Sequence, residues 1–340
     1  MDLQLGLFPD EPTPPASNGV GPASVGADVA AIAERLPATV RLGTSSWSFP
    51  GWEGLVYDRT ASPTILARHG LSAYASHPLL RTVGIDRTYY RPIAAAEFRS
   101  YADAVPDHFR FLVKADRLLT SPLEPETFGV RSRNPRFLDA DYAAEQVVRP
   151  MLDGLGDRAG PLLFQFPPIP PNLIGGARAF VERLAAFIQA LPEGPLYALE
   201  LRTPAFLDER YIRLIEASGV AHCYNVHPAM TPLPQQLEIV SPFYQPAVII
   251  RWMLHSGLRY EQAKDRYEPF DRIVDDDPES RERIALAVLD ALVAERPAFI
   301  IANNKAEGSA PLSLVRLASR LVGDSSATPT PSERGSDVAS

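Results

Sequence analysis

The chain has 340 residues, and 46% of them are hydrophobic, which is enough to build a packed core without metal or disulfide support. Its single cysteine, Cys223, excludes an intrachain disulfide, and its formal net charge of -8 argues against broad electrostatic binding to nucleic acid or anionic membranes. No segment has the roughly 20 uninterrupted apolar residues of a membrane span, and no signal-peptide pattern opens the chain. These features predict a soluble, cytoplasmic protein.

The composition predicts one domain between two tails. Residues 1–38 and 323–340 are rich in small residues and proline and lack sustained periodicity, so both are predicted to be flexible. Residues 39–322 contain no linker-like change of composition. We therefore expect a single domain over this span.

Residues 39–322 alternate short β-branched or aromatic runs with longer segments of helical spacing, a pattern typical of parallel strands joined by helices. The predicted strands are Val40–Ser45, Thr82–Asp86, Phe109–Lys114, Pro161–Phe166, Leu196–Leu201, Val220–Asn225, Ala247–Arg251 and Ala298–Asn303. The predicted helices lie near 63–76, 94–104, 140–153, 176–191, 208–218, 279–295 and 311–322. Eight such units in about 285 residues predict an α/β fold, a (β/α)8 TIM-like barrel. An open doubly wound sheet is the alternative, but no glycine-rich nucleotide loop follows any strand.

Several short segments resemble the DUF72 family, in the same order along the chain. They are Gly43–Ser48, Phe109–Ala115, Gly160–Pro168, Glu200–Arg202 and Asn303–Pro311. The resemblance extends over nearly all of residues 39–322. It implies a TIM-like barrel and no established activity, since the family is named for its unknown function.

The chain also departs from that family pattern at three positions. Gly84–Tyr90 stands where the family usually has Glu-Ile-Asn-Ser-Thr-Phe-Tyr, so a carboxylate is missing there. Thr203 replaces a frequent histidine, and Asn225 ends a strand that is often acidic at this point. A mechanism that needs those groups is not expected in this chain.

The carboxyl ends of the strands of a TIM barrel converge on one mouth, where function normally lies. The predicted ends carry the polar side chains of Ser45, Asp86, Tyr90, Lys114, Gln165, Glu200, Arg202, Asn225, Arg251, Asn303 and Asn304. Mutual pairing of these groups is the structural alternative, because buried ions and amides need partners. Their recurrence around the ring favours a ligand site. The predicted site has three cations, Lys114, Arg202 and Arg251, but only two acids, Asp86 and Glu200. The surplus positive charge predicts a small anionic ligand.

Three of these residues are predicted to be catalytic. Lys114 is suited to act as a general base, a Schiff-base nucleophile or a fixed charge, and a salt bridge to Glu200 is the alternative. Glu200 is the best candidate for a general acid or base, and Asp86 is the second carboxylate. The guanidinium groups of Arg202 and Arg251 are suited to bind one oxyanion.

Further ligand contacts are predicted after the first and last strands. Trp47 is placed either to stack on a ring or to plug the barrel rim. Asn303, Asn304 and Ser309 precede the last helix, whose N–H groups would bind phosphate unless the segment is an ordinary capped loop.

The six histidines lack metal-binding spacing, so no metal is predicted, and the sequence leaves the cofactor unknown.

The segment formed by Gln4, Leu5, Gly6, Leu7 and Phe8 resembles the bacterial sliding-clamp-binding motif Gln-Leu-x-Leu-Phe. Such a peptide would place Leu7 and Phe8 in an apolar groove while Gln4 makes a hydrogen bond. Docking of the same side chains on the barrel itself is the alternative.

Three functional hypotheses follow. The first is an enzyme, a hydrolase, lyase or isomerase, that acts on a small anionic, phosphorylated or carbohydrate-like ligand. The second is a DNA-metabolism factor, such as a phosphodiester hydrolase or an accessory protein, recruited to the sliding clamp of DNA polymerase. The third is a noncatalytic sensor that binds its ligand in the same mouth.

Overall fold

The computed structural model describes residues 19–124 and 132–323. Eight parallel strands close into a barrel in chain order, because β1 pairs with both β2 and β8. The strands are β1 Val40–Thr44, β2 Leu80–Ile85, β3 Arg110–Lys114, β4 Ala159–Phe166, β5 Tyr197–Leu201, β6 Ala221–Val226, β7 Val248–Trp252 and β8 Ala298–Ala302. The predicted barrel is confirmed, and the closed sheet excludes the open doubly wound alternative.

Helices surround the barrel on its outer face. They are α1 Ala27–Arg35, α2 Pro63–His69, α3 Leu71–Ala75, α4 Ala95–Asp103, α5 Arg117–Thr120, α6 Ala140–Ala143, α7 Arg149–Leu155, α8 Gly176–Ala190, α9 Glu209–Ser218, α10 Leu233–Ile239, α11 Tyr260–Tyr267, α12 Pro278–Val293 and α13 Ala310–Leu321. The predicted helix near 63–76 is divided at Gly70, and a π-helical turn over residues 144–148 separates α6 from α7. Within the described residues, no helix is long and apolar enough to cross a membrane.

The prediction of a flexible tail over residues 1–38 is wrong for its second half. Residues 27–35 form α1, which buries Ile32 and Ala33 and packs against α13. Leu36, four residues after Ile32, is also buried, so these two positions form an apolar stripe on one helix face. Most of the other apolar residues of α1 are alanines, so the sequence gives only a weak amphipathic pattern here. The rest of that predicted tail, residues 1–18, and residues 324–340 of the second tail lie outside the described residues.

An apolar layer fills the middle of the barrel and supports the polar layer above it. It consists of Leu112, Leu163, Ala198, Ala221, Cys223, Ala247, Ile249, Phe299 and Ile301. Because side chains alternate along a strand, the next inward position toward the mouth lies two residues later. Cys223 belongs to this layer and is buried.

Candidate functional site

Polar side chains occupy the inward positions directly above the apolar layer. Each follows a member of that layer by two residues, and they are Lys114, Gln165, Glu200, Asn225, Arg251 and Asn303. The strand register places Gln165 beside Glu200 and Asn225 beside Arg251. Alternation along the strands thus brings together side chains that lie far apart in the chain.

Glu200 is the buried anion at the centre of this layer. Its Oε2 accepts a hydrogen bond from Arg251 Nη1 at 2.6 Å, and its Oε1 accepts one from Arg202 Nε at 2.8 Å. The side-chain oxygen of Gln165 accepts a hydrogen bond of 3.1 Å from each of the two arginines. The four side chains form one connected network, and every ionised group in it has an opposite charge as a partner.

This network fixes the ionisation of Glu200. Burial alone would raise the pKa of its carboxyl group, but Arg251 and Arg202 outweigh burial and lower it to about 2. Burial likewise opposes the charge of Arg251, yet Glu200 raises the pKa of that guanidinium above its ordinary value. Glu200 is therefore ionised at neutral pH with both oxygens engaged, a geometry that does not support its predicted role as general acid or base.

Lys114 does not form the salt bridge to Glu200 that was its structural alternative. Its Nζ lies 3.7 Å from the centroid of the Tyr89 ring, a cation–π contact. No carboxylate of the described residues lies within 4.0 Å of this nitrogen. The side chain is 8% exposed, and burial lowers its pKa to about 8, with the site arginines adding to the shift and Asp86 opposing it.

Asp86 lies on the open side of the site. Its side chain is 38% exposed, and its Oδ2 lies 3.7 Å from Arg251 Nη2, longer than a direct hydrogen bond. This carboxylate is thus accessible and only loosely paired. Of the two predicted carboxylates, it is the one available for proton transfer.

The tyrosine that contacts Lys114 is Tyr89 and not the predicted Tyr90. A 3-10 turn over Arg87–Tyr89 follows β2 and directs the Tyr89 ring over Lys114. Tyr90 is 68% exposed, and its ring lies 5.9 Å from the Arg117 guanidinium. Two adjacent tyrosines in a short turn carry no periodic signal, so the sequence did not distinguish them.

Asn225 contributes a buried amide without a hydrogen-bond partner. The backbone N–H of Asn225 donates to the Gln236 side chain, which in turn donates to the Asn225 carbonyl. The side-chain oxygen and nitrogen of Asn225 are both buried, and neither has a partner among the described residues. Because an unsatisfied buried polar group costs about 1–3 kcal/mol, this amide favours a ligand or a water molecule in the site.

Residues of the first and last strands complete one side of the site. The hydroxyl oxygen of Ser45 accepts a hydrogen bond of 2.8 Å from Asn303 Nδ2. Trp47 is mostly buried and packs edge-to-face against Tyr101 with ring centroids 5.5 Å apart, so it plugs the rim as in the alternative interpretation. Ser45, Trp47 and Asp86 line a cleft of about 200 Å³.

Two larger grooves flank the mouth. One of about 450 Å³ begins at Tyr89 and is also lined by Arg117 and Ile169. The other, of about 530 Å³, lies after β6 and is lined by His227 and Met230, among others. The cleft at Ser45 reaches Asp86, and the groove at Tyr89 adjoins the ring that contacts Lys114.

Asn304 and Ser309 do not line the mouth, contrary to prediction. The buried Asn304 Oδ1 accepts hydrogen bonds from Trp52 Nε1 at 3.2 Å and from the backbone N–H of Ala310 at 2.9 Å. Ser309 is buried, and its side chain makes no capping hydrogen bond to α13. Asn304 thus occupies the first N–H of the helix, and the predicted phosphate site is not formed here.

Comparison with known proteins identifies the family of the chain. A family profile described as "Protein of unknown function DUF72" matches residues 41–335. No curated protein matches the chain.

Two solved structures share the fold. A DUF72 family protein from Thermotoga maritima MSB8 is 20% identical, with a TM-score of 0.56 over 83% of this chain and 98% of its own. One from Enterococcus faecalis V583 is 17% identical, with a TM-score of 0.51 over 84% of this chain and 95% of its own. At these identities the structural likeness shows the fold alone. The profile match over most of the length shows that the chain belongs to the DUF72 family.

Proposed function

We propose that the barrel mouth binds a small anionic ligand and that the protein is an enzyme acting on that ligand. One observation supports the proposal: Lys114 is a buried cation with no carboxylate partner among the described residues. The two arginines of the site share the single negative charge of Glu200, so it neutralises them only in part. Three cations face two carboxylates. An anion in the mouth would balance the remaining charge.

Arg202 is the arginine best placed to contact such a ligand. Its side chain is 24% exposed, and its Nε and Nη2 bind Glu200 and Gln165. Its Nη1 has no hydrogen-bond partner in the part of the chain that the structure describes. Because the carboxylate and the amide hold the guanidinium plane in place, the free edge is preorganised for a carboxylate or phosphate oxygen.

The arrangement disfavours glycoside hydrolysis by two opposed carboxyl groups. That chemistry needs one protonated acid and one carboxylate that is free to react. Glu200 is committed to Arg202 and Arg251, which leaves Asp86 alone. Lys114 and Asp86 are therefore the groups that we propose for proton transfer, while hydroxyl groups of a carbohydrate-like ligand would suit Ser45 and Asn225.

Titration calorimetry with pyruvate, sulfate and inorganic phosphate tests this proposal. We expect the wild-type chain to bind at least one of these anions and Arg202→Gln to bind it at least tenfold more weakly. Arg178→Gln is the matched control, because Arg178 is an exposed arginine on α8. Equal affinity in all three proteins would contradict an anion site at the mouth. Binding without turnover of phosphorylated or carbohydrate-like compounds would favour the sensor hypothesis.

A second proposal rests on the N-terminal sequence alone. We propose that Gln4, Leu5, Leu7 and Phe8 bind the sliding clamp of DNA polymerase, which would make the chain a DNA-metabolism factor. These residues lie outside the described residues. Immobilised clamp should retain the full chain and lose it when Leu7 and Phe8 are both replaced by alanine. Equal retention of both proteins would contradict the proposal.

A further inference from the structure

Lysine is rare in this chain. The sequence has 33 basic residues, and only Lys114, Lys264 and Lys305 are lysines. All side-chain ion pairs between described residues use arginine as the cation, for example Arg202 and Arg251 with Glu200. Where this protein needs only a positive charge, it uses arginine. A lysine in the mouth therefore suggests a chemical property that arginine lacks. The property that separates the two is that lysine can lose its proton and become a nucleophile.

The surroundings of Lys114 hold its amine in a defined place. It ends β3, and its backbone carbonyl accepts a hydrogen bond of 2.6 Å from Thr88 Oγ1, which ties the turn that carries Tyr89 to this strand. The amine then rests on the Tyr89 ring at 3.7 Å. Burial lowers the pKa of Lys114 to about 8, so that about a tenth of the side chains are neutral amines at pH 7.

We propose that Lys114 forms an imine with the carbonyl carbon of a small oxo acid whose carboxylate binds at Arg202. This inference rests on the proposed anion site and names its substrate class. The guanidinium group of Arg202, whose side chain is 24% exposed, and the amine of Lys114 offer two different contacts, a fixed cation for a carboxylate and a nucleophile for a carbonyl. A 2-oxo acid carries these two groups on adjacent carbons.

The step needs no oxidant or reductant. The lone pair of the neutral amine attacks the carbonyl carbon, and the π electrons of the carbonyl move to its oxygen, which takes up a proton. The resulting carbinolamine loses this oxygen as water while the nitrogen lone pair forms the C=N bond, so both amine hydrogens leave in the water. Asp86 is the proton relay, because its carboxylate is accessible whereas that of Glu200 is committed to Arg202 and Arg251.

Reductive trapping tests the imine directly. The full chain is incubated with pyruvate and sodium cyanoborohydride at neutral pH, and the adduct is located by peptide mapping. Among the three lysines, we expect an adduct on Lys114 alone. Lys264 is exposed and Lys305 is buried against Tyr260, so the two remaining lysines serve as internal controls for exposure and for burial.

Two controls separate this reaction from nonspecific alkylation. Acetone has a carbonyl group but no carboxylate, and it should label Lys114 at least tenfold less than pyruvate. Lys114→Arg keeps the positive charge, so it should bind pyruvate in calorimetry and form no adduct. Labelling of Lys264 equal to that of Lys114, or equal labelling by acetone, would overturn the inference.

The outcomes also distinguish the inference from the proposed function. Binding of pyruvate that depends on Arg202, with no adduct on Lys114, would refute the imine and leave the anion site in place. Absence of any adduct, together with absence of binding to pyruvate, sulfate and phosphate, would refute both. Binding together with an adduct confined to Lys114 would support both.

Discussion

The ammonium group of Lys114 lies on the face of the Tyr89 ring, 3.7 Å from its centroid, and does not pair with the carboxylate of Glu200. Glu200 instead commits both oxygens to Arg202 and Arg251. The two ionisable groups therefore have different roles. Glu200 holds the arginines in place, and Lys114 remains available to a ligand.

Anion binding should depend on pH through Lys114. Its pKa of about 8 means that it carries positive charge below pH 8 and loses it above, while Arg251, whose pKa is raised by Glu200 and Asp86, stays charged throughout. The affinity for sulfate, which does not titrate in this range, should therefore be highest below pH 8 and fall as pH rises through it. Besides burial, Arg251 and Arg202 lower the pKa of Lys114, whereas Asp86 and Glu200 raise it.

Calorimetry between pH 6 and pH 9.5 measures this profile. Lys114→Arg should bind sulfate with nearly constant affinity across the range, and Lys114→Ala should bind weakly throughout. A wild-type profile that is flat, or that rises with pH, would contradict the assignment.

The Tyr89 ring should set the midpoint of that profile. A cation–π contact stabilises the charged amine by about 0.5–2 kcal/mol. Tyr89→Leu removes the ring and should move the midpoint to lower pH by about 0.4 to 1.5 pH units. Tyr89→Phe keeps the ring face and should leave the midpoint nearly unchanged. The same displacement in both variants would show that the ring does not act on Lys114.

Glu200→Gln should destabilise the fold, because it leaves two arginines without their buried anion. Loss of one partner of a buried ion pair costs about 3 kcal/mol or more. Urea unfolding at pH 7 measures the loss. Glu182→Gln is the control, since Glu182 is exposed on α8 and, among the described residues, pairs only with Arg178. That control should change the free energy of unfolding by less than about 1 kcal/mol.

The same variant should also change the response to acid. The folded-state pKa of Glu200, about 2, lies below its ordinary value of 4.5, so its contribution to stability is complete above pH 4.5 and is lost as pH falls toward 2. Between these values the wild-type protein should lose more stability than Glu200→Gln does. Parallel losses in both proteins would mean that Glu200 is not held ionised by its arginines.

Asn304→Ala should affect stability without changing anion affinity. It leaves the N–H groups of Trp52 and Ala310 without their common acceptor, at a cost of about 2 kcal/mol. Ser309→Ala should cost little, because the Ser309 hydroxyl has no hydrogen-bond partner among the described residues. Thermal unfolding and sulfate calorimetry check both variants. A large loss of sulfate affinity in either variant would show that the substituted residue belongs to the ligand site after all.

The barrel could be predicted from the sequence because each strand is a short apolar run bounded by polar residues. All eight predicted strands are found, with ends displaced by two residues at most. The inward positions of the site also follow from alternation, since Lys114 and Glu200 each lie two residues beyond an apolar inward residue, Leu112 and Ala198.

Other features depend on contacts that no local pattern encodes. Tyr89 and Tyr90 differ only in the direction that a 3-10 turn gives them. Asn304, not Ser309, satisfies the first N–H of α13, because the loop between them folds back on itself. The helix α1 is stabilised by packing against α13 at the far end of the chain, where local periodicity carries no information.

A crystal soaked with pyruvate at neutral pH would test the central claim most directly. The account predicts electron density for the ligand in the mouth, with its carboxylate within hydrogen-bond distance of Arg202 and its carbonyl carbon next to, or bonded to, Lys114 Nζ. Pyruvate bound only elsewhere on the surface, with ordered water alone between Arg202 and Lys114, would contradict it.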